Sequence, residues 1–478
     1  MRDGVLYGAV ALKGSEGSEM ARSKETAVDV TEGVIWKQLL TLCIPIFFSS
    51  FFQQAYTLIN TFVVGQFGGK DALGGIQATT CLTELVVGFC VGLGAGCAVC
   101  AGQFFGQKDD ERLSRAVHTA MMLSLLIGLA VTVFGVIFIP DILRLMGTPE
   151  ELLPDAILYS RCYLGAMTFT LMMNMGVALL RAVGDTRGPA LITAVSCVVN
   201  IVLDLVFVVW LRLEALGCGI ATALAIANSC FLILHRMHKA EGAWRLEFRR
   251  MRIDPAILKN MVSCGLPLGI QSAAYSISNI IVQSTINSFG ADAVTGCGLA
   301  SRLDVFVWLV VEALGVALTT FTAQNFGARN YKRMREGYHT SLVMSLVLVG
   351  SLSSLLICFV DPLSRFFIDD AGVTYYTRLM IHYVAPFYIF YSVVDNASGA
   401  IRGSGVSLQP MIMTLLGTCV LRIVWLFTIV PLHHEMGTML MVYPVTWVVT
   451  AILFAIYHHS GNWLGRARER QERFEIAL

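Results

Sequence analysis

Charged residues are scarce in this chain of 478 residues. Lysine, arginine, aspartate and glutamate make up 14% of it, whereas a soluble globular protein carries about 25%. So few charges cannot cover the water-facing surface of a large soluble enzyme, and an apolar content of 56% excludes a disordered protein. The formal net charge of +1 lacks the basic excess that a nucleic-acid partner requires. The remaining class is a protein that crosses a membrane several times.

Motifs of metal binding, nucleotide binding and covalent catalysis are absent as well. The 13 cysteines contain one isolated C-x-x-C pair, Cys97 and Cys100, which lies among glycines and alanines. We interpret these cysteines as small buried side chains. The sequence contains no phosphate-binding P-loop, no zinc-binding H-E-x-x-H and no nucleophile elbow. We therefore expect no metal, no cofactor and no enzymatic activity, and we expect an ion gradient rather than ATP to drive any transport.

Long apolar runs fill most of the chain. A membrane-spanning helix needs about 20 predominantly apolar residues. Twelve runs reach this length, so we predict an all-α polytopic membrane protein with twelve transmembrane helices. The predicted spans are 36–64, 74–102, 116–140, 156–181, 189–211, 215–237, 257–287, 292–322, 338–360, 374–401, 410–432 and 437–458. Pro45 and Pro267 lie inside the first and seventh spans, where we expect structural kinks.

Basic residues are concentrated in alternate loops. The loop after the second span carries Lys108, Arg112 and Arg115, and the loop after the eighth span carries four more basic residues. The segment between the sixth and seventh spans and the C-terminal tail are also rich in arginine. By the positive-inside rule these segments and both termini are cytoplasmic, and the protein is expected in the inner or plasma membrane.

The sequence also repeats itself. The stretch AGQFFGQKDDERLSRAVHTAM from Ala101 aligns with TAQNFGARNYKRMREGYHTSL from Thr322, and LLRAVGDTRGP from Leu179 aligns with AIRGSGVSLQP from Ala400. All matches share an offset of 221 residues, which indicates a duplication. Each half has six spans, so both halves enter the membrane from the same side. We therefore predict two six-helix lobes related by a pseudo-two-fold axis along the membrane normal.

This organisation divides the chain into five segments. They are a flexible cytoplasmic tail (1–35), the N-lobe (36–237), a cytoplasmic linker (238–256), the C-lobe (257–458) and a basic cytoplasmic tail (459–478). The first tail shows no signal-peptide pattern, and Met20 within it offers an alternative start. Two lobes in this relation predict alternating access to a cavity between them.

Polar residues inside the N-lobe spans are functional candidates, because burying a carboxylate in a bilayer is costly. Asp204 follows Asn200 by one helical turn and lies about 22 Å along the fifth span, at 1.5 Å per residue. Asn60 and Thr222 fall at a similar depth in the first and sixth spans. Such a buried carboxylate can take up a proton, because burial disfavours its charged form. The same oxygens could instead coordinate a sodium ion, or the group could be a structural hydrogen-bond cluster.

The C-lobe has its own polar residues. Asp304 lies at the depth of Arg302 and Arg422, either of which could neutralise it, and we favour this structural role over the alternative that Asp304 binds a cation or the substrate. Glu312 and Asp395 lie in the inner half of the membrane without an obvious basic partner. We leave open whether these two carboxylates bind a cation, bind the substrate or serve the structure.

Further polar points on the helices are candidates for lining the cleft or for packing helices together. They are Gln53, Gln54, Glu84, Asn174, Tyr275, Asn279 and Gln283. Arg181 and Arg402 lie at cytoplasmic helix ends together with glycines. We expect a structural role for them, in which the arginine binds helix-end carbonyls and the glycine permits a tight turn.

These features resemble the multidrug and toxic compound extrusion (MATE) family, most closely its bacterial DinF-like branch. The resemblance rests on LLRAVGDTRGP followed by Asn200-x3-Asp204 and on AQNFGARN after the eighth span, and it covers the chain from about residue 36. It implies two lobes around a V-shaped cleft and export of organic cations against an inward flow of protons or sodium ions.

The resemblance also implies an ion site in the N-lobe. Archaeal and DinF-like members hold an aspartate on the first helix, an Asn-x3-Asp on the fifth and a threonine on the sixth, of which the last two match Asn200, Asp204 and Thr222. The first-helix position is Asn60 here, so Asp204 is the only carboxylate of that cluster. Coupling then rests on Asp204 alone, moves to Glu312 or Asp395, or is altered or lost.

The leading functional hypothesis is a monomeric, cation-coupled antiporter that exports amphipathic or cationic small molecules. A flippase for a lipid-linked precursor, a related superfamily activity, is the second hypothesis, but it favours a strongly basic cleft and often extra helices. A membrane-embedded enzyme is the third, and it requires a catalytic constellation at one depth, which the sequence does not contain.

Overall fold

A computed structural model describes residues 27–145, 147–368, 370–460 and 462–477. The predicted all-α fold is confirmed, because the described residues form helices joined by short loops, without a strand. Residues 1–26, which include most of the predicted tail and Met20, lie outside the described residues.

In the described part of the chain twelve helices cross the molecule, as predicted. Some of them consist of two segments, and we call each continuous or two-segment helix a rod. Those of the N-lobe are α1 (Ile35–Val63), α2 (Gly69–Gln107), α3 (Asp110–Leu145), α4 (Leu153–Gly165 and Met167–Ala182), α5 (Arg187–Asp204) and α6 (Glu214–His238). Those of the C-lobe are α7 (Pro255–Asn287), α8 (Ala291–Leu303 and Val305–Gly327), α9 (Tyr331–Phe367), α10 (Ala371–Val384 and Tyr388–Gly403), α11 (Leu408–Thr414 and Leu421–Thr428) and α12 (Met436–Leu440 and Val442–His459). A last helix, α13 (Asn462–Ala477), follows them.

Most of these rods are apolar enough to cross a bilayer. Within the described part of the chain nine helices qualify singly, and the two segments of α4, bent by 46° at Ala166, qualify as a tenth span. The rods α7 and α10 are not among them. The helix α7 carries polar side chains such as Asn279, which faces the interior of the C-lobe and lowers its apolar content. The two segments of α10, of 14 and 16 residues, are each too short to span a bilayer alone.

Pro45 and Pro267 do not break their helices. The helices α1 and α7 each run unbroken through these two prolines. Breaks lie at Ala166 in α4 and Asp304 in α8, which are not prolines, and at Ala385–Phe387 in α10, which contains Pro386. Neighbouring helices can satisfy the backbone groups that a proline frees, so a proline alone does not end a membrane helix.

The two halves repeat each other in backbone detail. Lys108 and Arg329, which are 221 residues apart, both have a φ of 58° in the loops that leave α2 and α8. Gly184 and Gly405 share the same offset and have φ values of 86° and 87° after α4 and α10. Four loops with matched left-handed residues indicate that the duplication seen in the sequence is a duplication of structure.

Both ends of the described chain lie at one end of the bundle, which we call the basic face. Arg333 of α9 donates to the carbonyl of Val30 at 3.1 Å, and Arg329 pairs with Glu475 of α13 at 3.2 Å. The segment between α6 and α7 packs there too, where the amide of Glu247 donates to His118 Nε2 at 3.1 Å.

The lobes meet through α2 and α7. Glycines allow the two backbones to touch, since a Cβ on Gly96 would collide with the backbone of Gly265, and a Cβ on Gly92 would lie 2.6 Å from the amide nitrogen of Gly269. A buried apolar cluster that includes Leu39 of α1 and Phe321 of α8 joins the lobes on the other side of this contact. The helices α1 and α2, which line the N-lobe cavity, therefore also pack against the C-lobe.

Candidate functional site

The N-lobe contains a cavity of about 250 Å³ that both polar and apolar side chains line. Helices α1, α2, α4, α5 and α6 line it, and α8 contributes one side chain from the C-lobe. Its polar lining residues are Ser49, Ser50, Gln53, Tyr56, Asn174, Arg181, Thr193, Ser196, Asn200, Thr222, Ser229 and Glu312. Hydroxyls and amides therefore dominate its polar surface, with one guanidinium and one carboxylate.

The structure brings three of the four predicted coupling residues into hydrogen-bond contact. Asp204 is fully buried and Asn200 is 2% exposed. With its amide in the orientation that satisfies its neighbours, Asn60 donates to Asn200 Oδ1 at 2.7 Å and also to Asp204 Oδ2. Thr222, the fourth residue, is buried and lines the same cavity as Asn200.

This cluster is incompletely satisfied. Asp204 Oδ1, Asn200 Nδ2 and Thr222 Oγ1 are buried and have no hydrogen-bond partner in the described part of the protein. A buried carboxylate oxygen without a donor is costly, and a bound proton or cation removes that cost. The arrangement can therefore hold an ion at Asp204. Within the described ranges of the chain, no group of three or more histidine, cysteine or acidic side chains could hold a metal ion.

The predicted partner of Asp304 is wrong. The hydroxyl of Tyr388 donates to Asp304 Oδ2 at 2.5 Å, whereas Arg302 points to the exterior. Arg422 is buried, donates to Asn279 Oδ1 at 2.9 Å and lies over the ring of Tyr443. Depth along the helices was similar, but the two arginines extend from other faces of the bundle.

Asp395 and Glu312 have basic neighbours that the sequence did not show. Arg402 pairs with Asp395 Oδ1 at 3.4 Å and lies about two turns further along α10. Glu312 extends from α8 into the N-lobe cavity, where the charges of Arg181 and Asp395 both act on it. The two arginines thus face side chains rather than the helix-end carbonyls that we expected. The adjacent glycines, Gly184 and Gly405, do adopt the left-handed turn.

The expected cleft residues divide between the lobes. Gln53 and Asn174 line the N-lobe cavity, whereas Gln54 does not, and Glu84 is exposed on α2. On α7, Tyr275 faces Thr418 and Tyr391, and Asn279 faces Arg422, so this side of the helix looks into the C-lobe. Gln283 is exposed and bonds Asn287 on its own helix at 2.9 Å.

Two glutamines within the repeated stretches, Gln103 and Gln324, connect the lobes. Gln103 Nε2 donates to the carbonyl of Gly403 at 3.0 Å, and Gln324 Nε2 donates to the carbonyl of Ala182 at 2.8 Å. Donors and acceptors are each 221 residues apart, so the two bonds are equivalent under the pseudo-two-fold axis. The repeated Q-x-x-G pattern was the signal in the sequence, since Gly106 and Gly327 let each helix approach the opposite glutamine.

The packing of α13 was also missed. Its Arg470 donates to Asn260 Oδ1 and Ser263 Oγ at 3.0 Å each, and to the carbonyl of Gly405. Phe474 lies 6.1 Å from the ring of Phe104 on α2. A tail that was interpreted as a basic extension is therefore a helix that contacts both lobes on the basic face.

The comparisons with known proteins agree with this architecture. The MatE family model matches the chain twice, at residues 45–206 and 267–428, once in each half. A solved structure of a multidrug resistance MATE family transporter of the MOP superfamily, in its outward-facing conformation, has a TM-score of 0.84 at 20% identity. The match covers 94% of this chain and 99% of the chain in the solved structure.

Curated relatives are transporters. The chain is 26% identical over 388 residues to the probable multidrug resistance protein YoeA of Bacillus subtilis, with 80% of this chain and 84% of the relative covered. It is 28% identical over 354 residues to the FAD transporter of Shewanella oneidensis, with 71% and 76% covered. The family matches together span more than half of the chain, one in each six-helix lobe. The chain therefore belongs to the MATE family of multidrug efflux transporters and is not an enzyme.

Proposed function

We propose that this transporter exports amphipathic small molecules across the plasma membrane in exchange for protons or sodium ions, by alternating access. The observation that carries the proposal is the buried Asp204 cluster, which contains polar atoms without a partner and of which Asn200 and Thr222 line the N-lobe cavity. An antiporter needs such a site, because an ion that neutralises a buried carboxylate changes the free energy of the state that encloses it.

The topology of the proposal follows from the basic face. The α2–α3 loop carries Lys108 there, the α8–α9 loop carries Arg329, and helix α13 carries further arginines, so the positive-inside rule assigns this face to the cytoplasm. Both described chain ends and the segment between α6 and α7 are then cytoplasmic. The lobes, 36–237 and 257–458, are in contact on this face through Gln103 and Gln324, which supports a state that is closed to the cytoplasm.

Asp204 is the coupling residue of this proposal, since Asn60 cannot ionise. Asp395 is a weaker candidate, because Arg402 already compensates its charge. Glu312 faces the cavity and remains a candidate for contacting the substrate. The relatives are named for multidrug resistance and for FAD transport, so their names support small organic molecules as substrates.

Reconstitution of the purified protein into liposomes tests the proposal. Uptake of a fluorescent amphipathic dye is followed under a proton gradient, then under a sodium gradient, then under neither. We expect one of the two gradients to accelerate transport at least tenfold over the gradient-free rate. Dye movement that is indifferent to both gradients contradicts the antiporter proposal.

A further inference from the structure

Arg181 and Arg402 occupy equivalent positions in the two repeats but have different surroundings. In the C-lobe, Arg402 pairs with Asp395 at 3.4 Å, seven residues before it on α10. In the N-lobe the residue seven positions before Arg181 is Asn174, so the carboxylate that would pair with this arginine is missing. The chain therefore contains a paired and an unpaired version of one arrangement.

Arg181 has few interactions of its own. In the described part of the protein it forms no ion pair within 4.0 Å, and its hydrogen bond runs from Nη2 to Ser49 Oγ at 3.3 Å. Its Nε is buried and has no partner. A guanidinium that is withdrawn from water without an anion is costly, which is why buried arginines are paired as a rule.

The unpaired guanidinium borders space. Arg181 lines the 250 Å³ cavity of the N-lobe, and Asn174 lines the same cavity. Glu312 is the carboxylate whose charge acts on Arg181, but it lies beyond ion-pair distance and its side chain is exposed to the cavity. The guanidinium thus has room beside it for a group that the protein does not supply.

Hydrogen-bond donors surround that space. The hydroxyls of Ser49, Ser50 and Thr193 line the cavity together with Arg181, and Ser196 Oγ is buried there without a partner. A guanidinium presents a planar fork of N–H groups that matches the two oxygens of a carboxylate or phosphate, and hydroxyls can complete the shell. Glu312 is the one acidic side chain among the described residues that line this cavity, so an oxyanion group would bind at Arg181 and a cationic group of the same molecule could bind at Glu312.

We propose that Arg181 binds an oxyanion group of the transported substrate, so that the exported molecules include amphipathic compounds that carry a carboxylate or phosphate. The proposal rests on the proposed function, because it takes the N-lobe cavity as the transport cavity. Asn174 is the residue that keeps the guanidinium available, since an aspartate at its position would pair with Arg181 as Asp395 pairs with Arg402.

The test compares two probes that differ in one group, a rhodamine with a free carboxylate and the ethyl ester of the same rhodamine. Binding of each to the purified full-length protein in detergent is measured by fluorescence polarisation, without any ion gradient. For Arg181→Gln we expect the preference for the carboxylate probe, expressed as the ratio of the two Kd values, to fall about tenfold or more. Arg181→Lys should retain part of that preference.

A second variant keeps Arg181 but places a carboxylate beside it, so that the guanidinium can no longer bind the substrate. Asn174→Asp should lower the carboxylate preference to a similar extent, because the new aspartate neutralises Arg181. Arg378→Gln, which removes an exposed arginine paired with Asp361 on the far side of the C-lobe, is the matched control and should leave both Kd values unchanged. Monodisperse size-exclusion profiles establish that each variant is folded.

If the ratio of the two Kd values is unchanged in both Arg181→Gln and Asn174→Asp, the proposal is overturned. An equal loss of affinity for both probes also overturns it. These outcomes leave the proposed antiport intact, since the ester probe can still be driven by a gradient in liposomes. Failure of the antiport proposal is distinguished by dye transport that ignores both gradients, whatever the binding preference.

Discussion

Gln103 of the N-lobe donates a 3.0 Å hydrogen bond to the carbonyl of Gly403 in the C-lobe, and its repeat equivalent, Gln324, donates at 2.8 Å to Ala182. Each bond satisfies a carbonyl at the last turn of α4 or α10, where helices leave such groups unpaired. Two symmetric bonds across one interface stabilise the state in which the basic face is closed. Opening that face must break both.

Replacing both glutamines should therefore favour the open state. Each bond contributes about 1 kcal/mol, so Gln103→Leu combined with Gln324→Leu should raise the ratio of open to closed protein by about 30-fold. Cys100 and Cys264 are each 1% exposed near this interface and report opening through their rate of alkylation, read by mass spectrometry. Gln283→Leu, which removes a bond within one helix, is the control and should leave that rate unchanged. Equal alkylation of the double variant and the original protein contradicts a gating role.

Gly106 should tolerate no side chain in the closed state. A Cβ at this position would collide with the carbonyl of Gln324 across the interface, whereas a Cβ at Gly94 on the same helix meets no atom within 4 Å. We expect Gly106→Ala to increase alkylation of Cys100 and Cys264 and Gly94→Ala to leave it at the original level. Both variants replace a glycine of α2 by alanine, so their effects on helix propensity are the same. A difference in alkylation rate between them therefore reports the contact at Gly106. If Cys100 and Cys264 in Gly106→Ala were alkylated at the original rate, the closed state would not require the close contact between Gly106 and Gln324.

Arg470 should hold α13 on the basic face. It donates to Asn260, Ser263 and the carbonyl of Gly405, and hydrogen bonds from a charged donor are worth about 1.5–3 kcal/mol each when they are well formed. Arg470→Ala should accelerate amide hydrogen exchange in α13 by tenfold or more, while the exposed neighbour Glu469→Ala should not. Unchanged protection in Arg470→Ala would mean that Trp463 and Leu464, which are buried, carry the attachment instead.

The sequence predicted those features that depend on neighbours along the chain. Apolar runs and the 221-residue register gave the helices and lobes, and helical depth placed Asn60, Asn200 and Asp204 at one level, where the structure joins them. Contacts between segments that are distant in the sequence were harder to predict. Asp304 was assigned to an arginine at the same depth, but depth does not fix the direction in which a side chain extends, and Tyr388 fills that space.

The role of α13 could not be predicted because its charged residues dominate its composition. Only its packing shows that Trp463, Leu464 and Ala467 form a buried side while the arginines remain partly exposed. Arg181 and Arg402 also read alike in the sequence, at equivalent helix ends. Their difference appears only when the cavity beside Arg181 and the ion pair of Arg402 are seen together.

The most direct test of the account is gradient-driven transport by Asp204→Asn in liposomes. The variant keeps the shape of the side chain but cannot release a proton or carry a charge. We expect it to lose dye transport driven by a proton or sodium gradient while it still exchanges dye for dye when no ion gradient is present. Asp361→Asn, which removes an exposed carboxylate paired with Arg378, should transport at the original rate. Gradient-driven transport by Asp204→Asn at the original rate would contradict the account and move the coupling site out of the N-lobe.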